Sequence, residues 1–290
     1  MDKMGGSAQV VLEILVGSSG LKGVRSSFVA IFPDQGVDRG ILPKLLEGRG
    51  QDYEVRPVGE GHAGAVHRLV AEVIDEMDIE GDTVGVCPVG CSVMAYDYFN
   101  CDMMEASHGR APAVATGIKR ANPDKFVFTY QGDGDLAAIG TAETVHAATR
   151  GENITVIFIN NTTYGMTGGQ MAPTTLPGQI TQTTPYGRNT DIEGFPVKMC
   201  EMLSQLDGVA LAQRVTVVDP ANIRKAKAAI REGFEYQKNK QGFSIIEVLS
   251  TCPTNWGLTP VQAIERLRND MIPYYPLGVY KDEPIRNKEV

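Results

Sequence analysis

Gly132-Asp133-Gly134-Asp135 follows one strand-like run, residues 125–131, and Asn160-Asn161 closes another, residues 154–160. Glycines let a backbone approach a diphosphate closely, and a carboxylate with an amide oxygen suits a hard divalent cation. Mg2+ takes few protein ligands and fills its octahedron with phosphate oxygens and water. The two loops together therefore read as a metal-bridged diphosphate site, with a helix start at Leu136 favouring the anionic charge. Gly-Asp-Gly alone is an ordinary turn. The paired asparagine gives it meaning, because Gly134 and Asn161 bracket 26 residues, one helix and one strand, which brings both loops to the same sheet edge.

The elements that must position these loops are legible as a period. Residues 62–77 place Val66, Leu69, Val70, Val73, Ile74 and Met77 on one helical stripe. Residues 83–86 read as a strand, and 125–131 and 154–160 are nearly continuous β-branched and aromatic runs, as strands buried on both faces should be. Residues 136–150 between them are alanine-rich and helical. The stretch 165–188 is too rich in Gly, Pro and Thr for a core element. Beyond it come a strand over 215–218, a helix over 222–238 entered through Asp219-Pro220, and a last strand over 243–249. Alternation of this kind predicts an α/β fold, a doubly wound and mostly parallel sheet with helices on both faces. Residues 1–55 read as an N-terminal extension, 56–252 as the main domain, and 253–290 as a proline- and aromatic-bearing tail expected to pack on a partner subunit.

Composition removes several alternatives. Thirty-five acidic against twenty-seven basic residues, with a net charge of −8, leave no electrostatic footprint for nucleic acid. The apolar runs are strand-sized, well short of the ~20 residues a membrane helix needs. The segment 1–17 has no signal-peptide pattern, so a cytoplasmic location is expected, and five cysteines (Cys87, Cys91, Cys101, Cys200, Cys252) are then thiols or metal ligands, not a disulfide framework.

The Gly-Asp-Gly and Asn-Asn pair resembles the thiamine-diphosphate motif. Around it, Val89-Gly90-Cys91-Ser92, His108-Gly109-Arg110-Ala111-Pro112, the run from Tyr164 through Gln170, Thr184-Pro185-Tyr186-Gly187 and Cys252-Pro253-Thr254-Asn255 occur in the order seen in the thiamine-diphosphate-binding, β-type subunit of 2-oxoacid:ferredoxin oxidoreductases. The likeness spans about residues 56–280 and is greatest to the 2-oxoisovalerate branch. It implies the thiamine-diphosphate-binding fold, and oxidative decarboxylation of a branched-chain 2-oxoacid to acyl-CoA and CO2 with electrons passing to ferredoxin. It also implies roles: Asp133, Asn161 and the Thr163 carbonyl on Mg2+; Val89, Gly90, Cys91, Ser92, Gly109, Gly134, Asp135, Gly165 and Met166 around the cofactor, with Met166 propping its bent form. His108 and Arg110 line the cofactor and suit a 2-oxoacid, the first as proton donor and the second as a fork for the carboxylate; a surface ion pair and a satisfied loop histidine are the plainer readings. His67 and His146 read as structural, and His62 stays a candidate. The glutamate that activates thiamine would come from an α-type partner subunit, and a ferredoxin or ferredoxin-like subunit would take the electrons.

The chain departs from the family in one respect. Relatives usually carry two further cysteines that complete a 4Fe-4S site with the positions of Cys91 and Cys252; here Pro57 and Glu60 stand there, Glu60 31 residues before Cys91. Proline cannot ligate iron, so a chain without the cluster is expected, the alternative being a rearranged set in which Cys87 and Cys101 join Cys91 and Cys252. The lost ligands also leave open a non-oxidative thiamine decarboxylase or acyl transferase, or a non-catalytic assembly subunit.

Overall fold

The computed structural model describes residues 63–285; the extension 1–55, Pro57, Glu60 and His62 lie outside them. Seven strands form one sheet in the order β2-β1-β3-β4-β6-β5-β7. They are β1 Thr83–Pro88, β2 Asp102–Ala106, β3 Phe126–Gly132, β4 Thr155–Asn160, β5 Val209–Thr216, β6 Phe243–Leu249 and β7 Gly278–Asp282. All pair in parallel except β7, which runs antiparallel along β5.

Side chains alternate through the sheet and build two apolar layers, as the period of two requires. Phe128, Ile157 and Ile246 join a core with Val66 and Val70 of helix α1 (Ala63–Glu76) and with Phe234 of the long helix Pro220–Lys238. Val127, Val156 and Ile245 face the other way, onto Ala115 and Ala147 of helices Ala111–Ala121 and Thr141–Arg150. The expected doubly wound sheet is therefore the observed one. Asp219 caps the long helix, its Oδ1 accepting from the Asn222 amide at 2.9 Å, with Pro220 at the first helical position.

Two elements differ from the sequence reading for local reasons. The helix expected over 136–150 is divided: a π-type turn, Asp135–Ile139, precedes Gly140 and the regular helix. Gly109, at φ 77°, packs on Gly140 so closely that a Cβ on Gly109 would lie 2.7 Å from the Gly140 nitrogen, and the wide turn makes room for that crossing. Strand β5 starts at Val209, ahead of the expected 215–218, because Gln213 and Arg214 interrupt the apolar pattern while both are buried. The tail forms helical turns from Pro253 to Tyr274 and strand β7; Tyr275, fully buried, joins Leu176, Val218 and Leu249 in a third core. Tail residues 253–282 thus contribute to the chain's own core and sheet. The edge strand β2 carries no pattern that period-reading could find, since Met104 and its charged neighbours are exposed.

His67 on α1 is structural, as the helical stripe suggested. It is buried, stacks on Phe99 with centroids 3.8 Å apart, and neither ring nitrogen has a hydrogen-bond partner among the described residues. Burial pulls its pKa down to about 4. The folded state therefore binds this proton less tightly than the unfolded chain: the stabilisation is complete above pH 6.5 and is lost as pH falls toward 4, up to roughly 3 kcal/mol. Denaturant unfolding between pH 7 and 4 should show this loss, and His67→Phe should remove that part of the pH dependence.

Candidate active site

The carboxyl ends of β1, β3, β4 and β6 converge on one edge of the sheet, where ligands bind in open α/β folds. Gly132 pairs with Ile159, and Asn160 with Leu249, so the Asp133 turn, the Asn161 loop and the segment leading to Cys252 emerge side by side. Asp133 is only 2% exposed. Its Oδ2 accepts from Thr174 Oγ1 at 2.6 Å and the Thr163 amide at 3.2 Å, and its Oδ1 from the Gly134 amide at 2.9 Å. Burial outweighs these donors and pushes its pKa up to about 7, and none of the ion pairs among the described residues involves it. A buried carboxylate with no positive partner is the arrangement a divalent cation would complete.

The two asparagines divide the work. Asn161 Oδ1 accepts from the Thr163 amide at 3.2 Å, and its carbonyl accepts from Trp256 Nε1 at 3.2 Å. Asn160 is fully buried and turned the other way, donating to Glu247 at 2.8 Å and accepting from the Thr162 amide. Thr162 itself sits at φ 61°, a strained value for a β-branched residue. Its carbonyl is held by Thr175 Oγ1 at 2.7 Å and Gln179 Nε2 at 3.1 Å. Asp133, Asn161 and the backbone at Thr163 are thus brought together as the spacing required.

His108 lies at the mouth of the site. Its Nδ1 is 2.5 Å from Asp135 Oδ1, which also accepts from the Gly109 amide at 2.5 Å, while Asp135 Oδ2 accepts from Gln131 Nε2 at 2.7 Å. Thr129 in turn donates to Gln131. With Asp135 only 3% exposed, this contact anchors the His108 ring through its Nδ1. Both Asp135 oxygens are thereby engaged by the protein, and Asp135 holds His108 and Gly109 in place. Arg110 also has a partner, Glu143 at 2.5 Å, and lies beside the Ile139 carbonyl. That is the surface ion pair of the plainer reading, and a substrate carboxylate would have to replace Glu143.

The remaining residues line the same mouth. Gly134 lies against Tyr164, whose ring occupies the place of any Cβ, and Gly165 approaches Cys91 Sγ. Val89 and Met166 are about half exposed at the rim. Gly90 turns the chain at φ 126°, and Ser92 is buried, its hydroxyl 3.4 Å from the Pro88 carbonyl. Asn255, which holds the Gly165 carbonyl at 2.9 Å, also reaches Cys252 Sγ at 3.1 Å. Burial, and then the nearby Cys252, pushes the Cys91 thiol up; burial does the same to Cys252. Cys87 and Cys101 do not join them. Cys87 is buried under α1, and Cys101 precedes Asp102, which pairs with Val84 at the opposite end of β1. No group of three or more His, Cys, Asp or Glu among the described residues forms a metal cluster.

Sequence reasoning missed Thr174, Trp256, Glu247 and Tyr275. The first lies in a stretch read as plain loop, and the others act from segments distant in the chain.

The profile of the thiamine pyrophosphate enzymes, C-terminal TPP binding domain, matches residues 88–248. The chain belongs to that family. It is 48% identical over 224 residues to ketoisovalerate oxidoreductase subunit VorA of Methanothermobacter thermautotrophicus, covering 77% of this chain and 47% of that one. It is 41% identical over 195 residues to 2-oxoglutarate synthase subunit KorB of Methanocaldococcus jannaschii, covering 67% and 68%. This chain therefore spans about half the length of its ketoisovalerate relatives. A solved 2-oxoglutarate:ferredoxin oxidoreductase from Magnetococcus marinus shares the fold, with TM-score 0.65 and 24% identity over 77% of this chain and 79% of that one. The family resemblance seen in the motifs holds, including the likeness to the ketoisovalerate branch. No helix of the described residues is long and apolar enough to cross a membrane.

Proposed function

We propose that this chain is the thiamine-diphosphate-binding subunit of a 2-oxoacid:ferredoxin oxidoreductase, converting a branched-chain 2-oxoacid such as 2-oxoisovalerate, with coenzyme A, to acyl-CoA and CO2. The observation that carries the reading is the buried Asp133, which no cationic side chain among the described residues pairs with, beside Asn161 at the sheet edge, inside the segment that matches the family. Asp133 and Asn161 side chains, with the Thr163 carbonyl, would hold Mg2+, and Gly134, Gly165 and Met166 would flank the diphosphate and the bend of the cofactor. Thiamine diphosphate, when bound, supplies the carbon nucleophile and the electron sink for loss of CO2.

The chain's own residues then bind, orient and move protons. His108, fixed through Nδ1 by Asp135, presents Nε2 to the substrate oxygen as donor or acceptor. Arg110, which meets Glu143 through one nitrogen only, offers its fork to the substrate carboxylate. The activating glutamate comes from an α-type partner subunit. Electrons leave through ferredoxin or a ferredoxin-like subunit, because Pro57 and Glu60 leave Cys91 and Cys252 without the other two family ligands and this subunit without a 4Fe-4S cluster.

The assay is reduction of a viologen dye by this chain assembled with its copurifying subunits. Dye reduction that requires both a branched-chain 2-oxoacid and coenzyme A is expected. CO2 release without dye reduction would overturn the oxidative reading in favour of a non-oxidative thiamine decarboxylase.

A further inference from the structure

Arg214, on β5, is two strands away from β4 and its asparagine loop, yet two chains of contacts run from it to the candidate metal ligands. Its side chain is fully buried and forks onto Glu201, at 2.9 and 2.5 Å, while NH2 also lies 2.9 Å from Glu247 Oε2. Burial works against its charge, and the two carboxylates more than restore it. Along the first chain, the other Glu247 oxygen accepts from Asn160 Nδ2 at 2.8 Å, and Asn160 Oδ1 holds the Thr162 amide. That bond fixes the strained turn from which Asn161 and Thr163 project.

The second chain passes through the tail. Arg214 NH1 donates to Tyr280 at 2.5 Å and to the Pro276 carbonyl at 3.2 Å, and its guanidinium lies 5.2 Å from the ring centre of the buried Tyr275. The Tyr275 hydroxyl donates to the Thr174 carbonyl at 2.7 Å, and Thr174 Oγ1 donates to Asp133 at 2.6 Å. One cation therefore fixes both sides of the cradle: the Asn161 loop through Glu247 and Asp133 through the tail.

Stability alone does not account for such a construction. Buried ion pairs are commonly matched or exceeded in stability by apolar side chains of similar volume, and among the described residues this network leaves Arg214 Nε and Glu247 Oε2 without hydrogen bonds, so what its remaining bonds secure is the placement of the loops they hold. We infer that Arg214, with Glu247 and Tyr275, forms a positioning network that sets the mutual geometry of Asp133 and Asn161, so that the tail segment Tyr275 to Tyr280 is a working part of the metal–diphosphate site. This deepens the proposed function and rests on its assignment of the metal ligands.

The test uses the full chain and two variants, with Mn2+ and thiamine diphosphate as probes. Tyr275→Phe keeps the ring and its packing and removes only the hydroxyl. Its affinity for Mn2+ with thiamine diphosphate should fall about tenfold, the lower end of what outer-shell partners of metal ligands contribute, and the Mn2+ spectrum of the loaded protein should change, while the melting temperature of the unloaded chain falls by no more than a few degrees, the cost of one unpaired buried carbonyl. Thr174→Val, nearer the ligand, should weaken binding at least as much. Unchanged affinity and spectrum in Tyr275→Phe, with wild type binding normally, would overturn the positioning role alone. Failure of wild type itself to bind the pair would overturn the metal-site assignment and this inference with it.

Discussion

Asp133→Asn should abolish metal-dependent binding of thiamine diphosphate while leaving the fold intact. Asparagine occupies the same volume and still offers an oxygen to Thr174 Oγ1 and the Thr163 amide, the partners that hold Asp133 Oδ2. What it removes is the negative charge that a hard divalent cation favours, together with the acceptor that Oδ1 offers the Gly134 amide. Outer-shell partners of metal ligands contribute 10–100-fold to affinity, so loss of a ligand's charge should weaken binding by ~100-fold or more. Stability should respond in the opposite direction. Burial raises the Asp133 pKa to about 7, so the folded, metal-free chain binds this proton more tightly than the unfolded chain does. The group's contribution is complete below its ordinary value near 3.8 and is lost as pH rises through about 7. At pH 8 without metal, Asp133→Asn should therefore melt at or above the wild-type temperature, and saturating Mg2+ with thiamine diphosphate should raise the melting temperature of wild type only. Scanning calorimetry of both proteins, with and without the ligand pair, checks each half of the expectation.

The second large effect concerns the proton. In Asp135→Asn the side chain keeps its shape; one amide oxygen can still accept from the Gly109 amide and His108 Nδ1, and Gln131 can turn its own amide to match. The carboxylate charge beside His108 Nδ1 is gone. General acid–base groups contribute 10²–10⁴-fold, so turnover of the assembled enzyme should fall by ~10²-fold, with KM for the 2-oxoacid little changed because the residue does not reach the substrate. A thermal melt of the same sample separates this from a structural fault: Asp135→Asn should melt with the full amplitude of wild type, whereas an unfolded fraction would lower the amplitude in proportion to the lost turnover.

The layers of this molecule were legible because strands buried on both faces leave continuous apolar runs; β3, β4 and β6 lie within a residue or two of where those runs fall. Asp133, Gly134 and Asn161 were legible as a candidate site because two short loops at fixed spacing hold them. β5 was misplaced for the reason that makes it interesting: Arg214 breaks the apolar pattern and is nevertheless buried, its charge met by Glu201 and by Glu247 from the neighbouring strand. No local pattern announces a partner 33 residues away. The role of Tyr275 was hidden in the same way, since it reaches Asp133 only through Thr174. Arg110 was legible as a cation of the right kind, but its present partner Glu143 lies a helical turn beyond the glycine-rich loop and became visible only in three dimensions.

The most direct test of the account is calorimetric titration of thiamine diphosphate into the wild-type full chain, once with Mg2+ and once with the metal chelated. Saturable binding that requires Mg2+ and disappears in Asp133→Asn is predicted. Binding of equal strength with and without the metal, or no binding in the assembled complex, would contradict it.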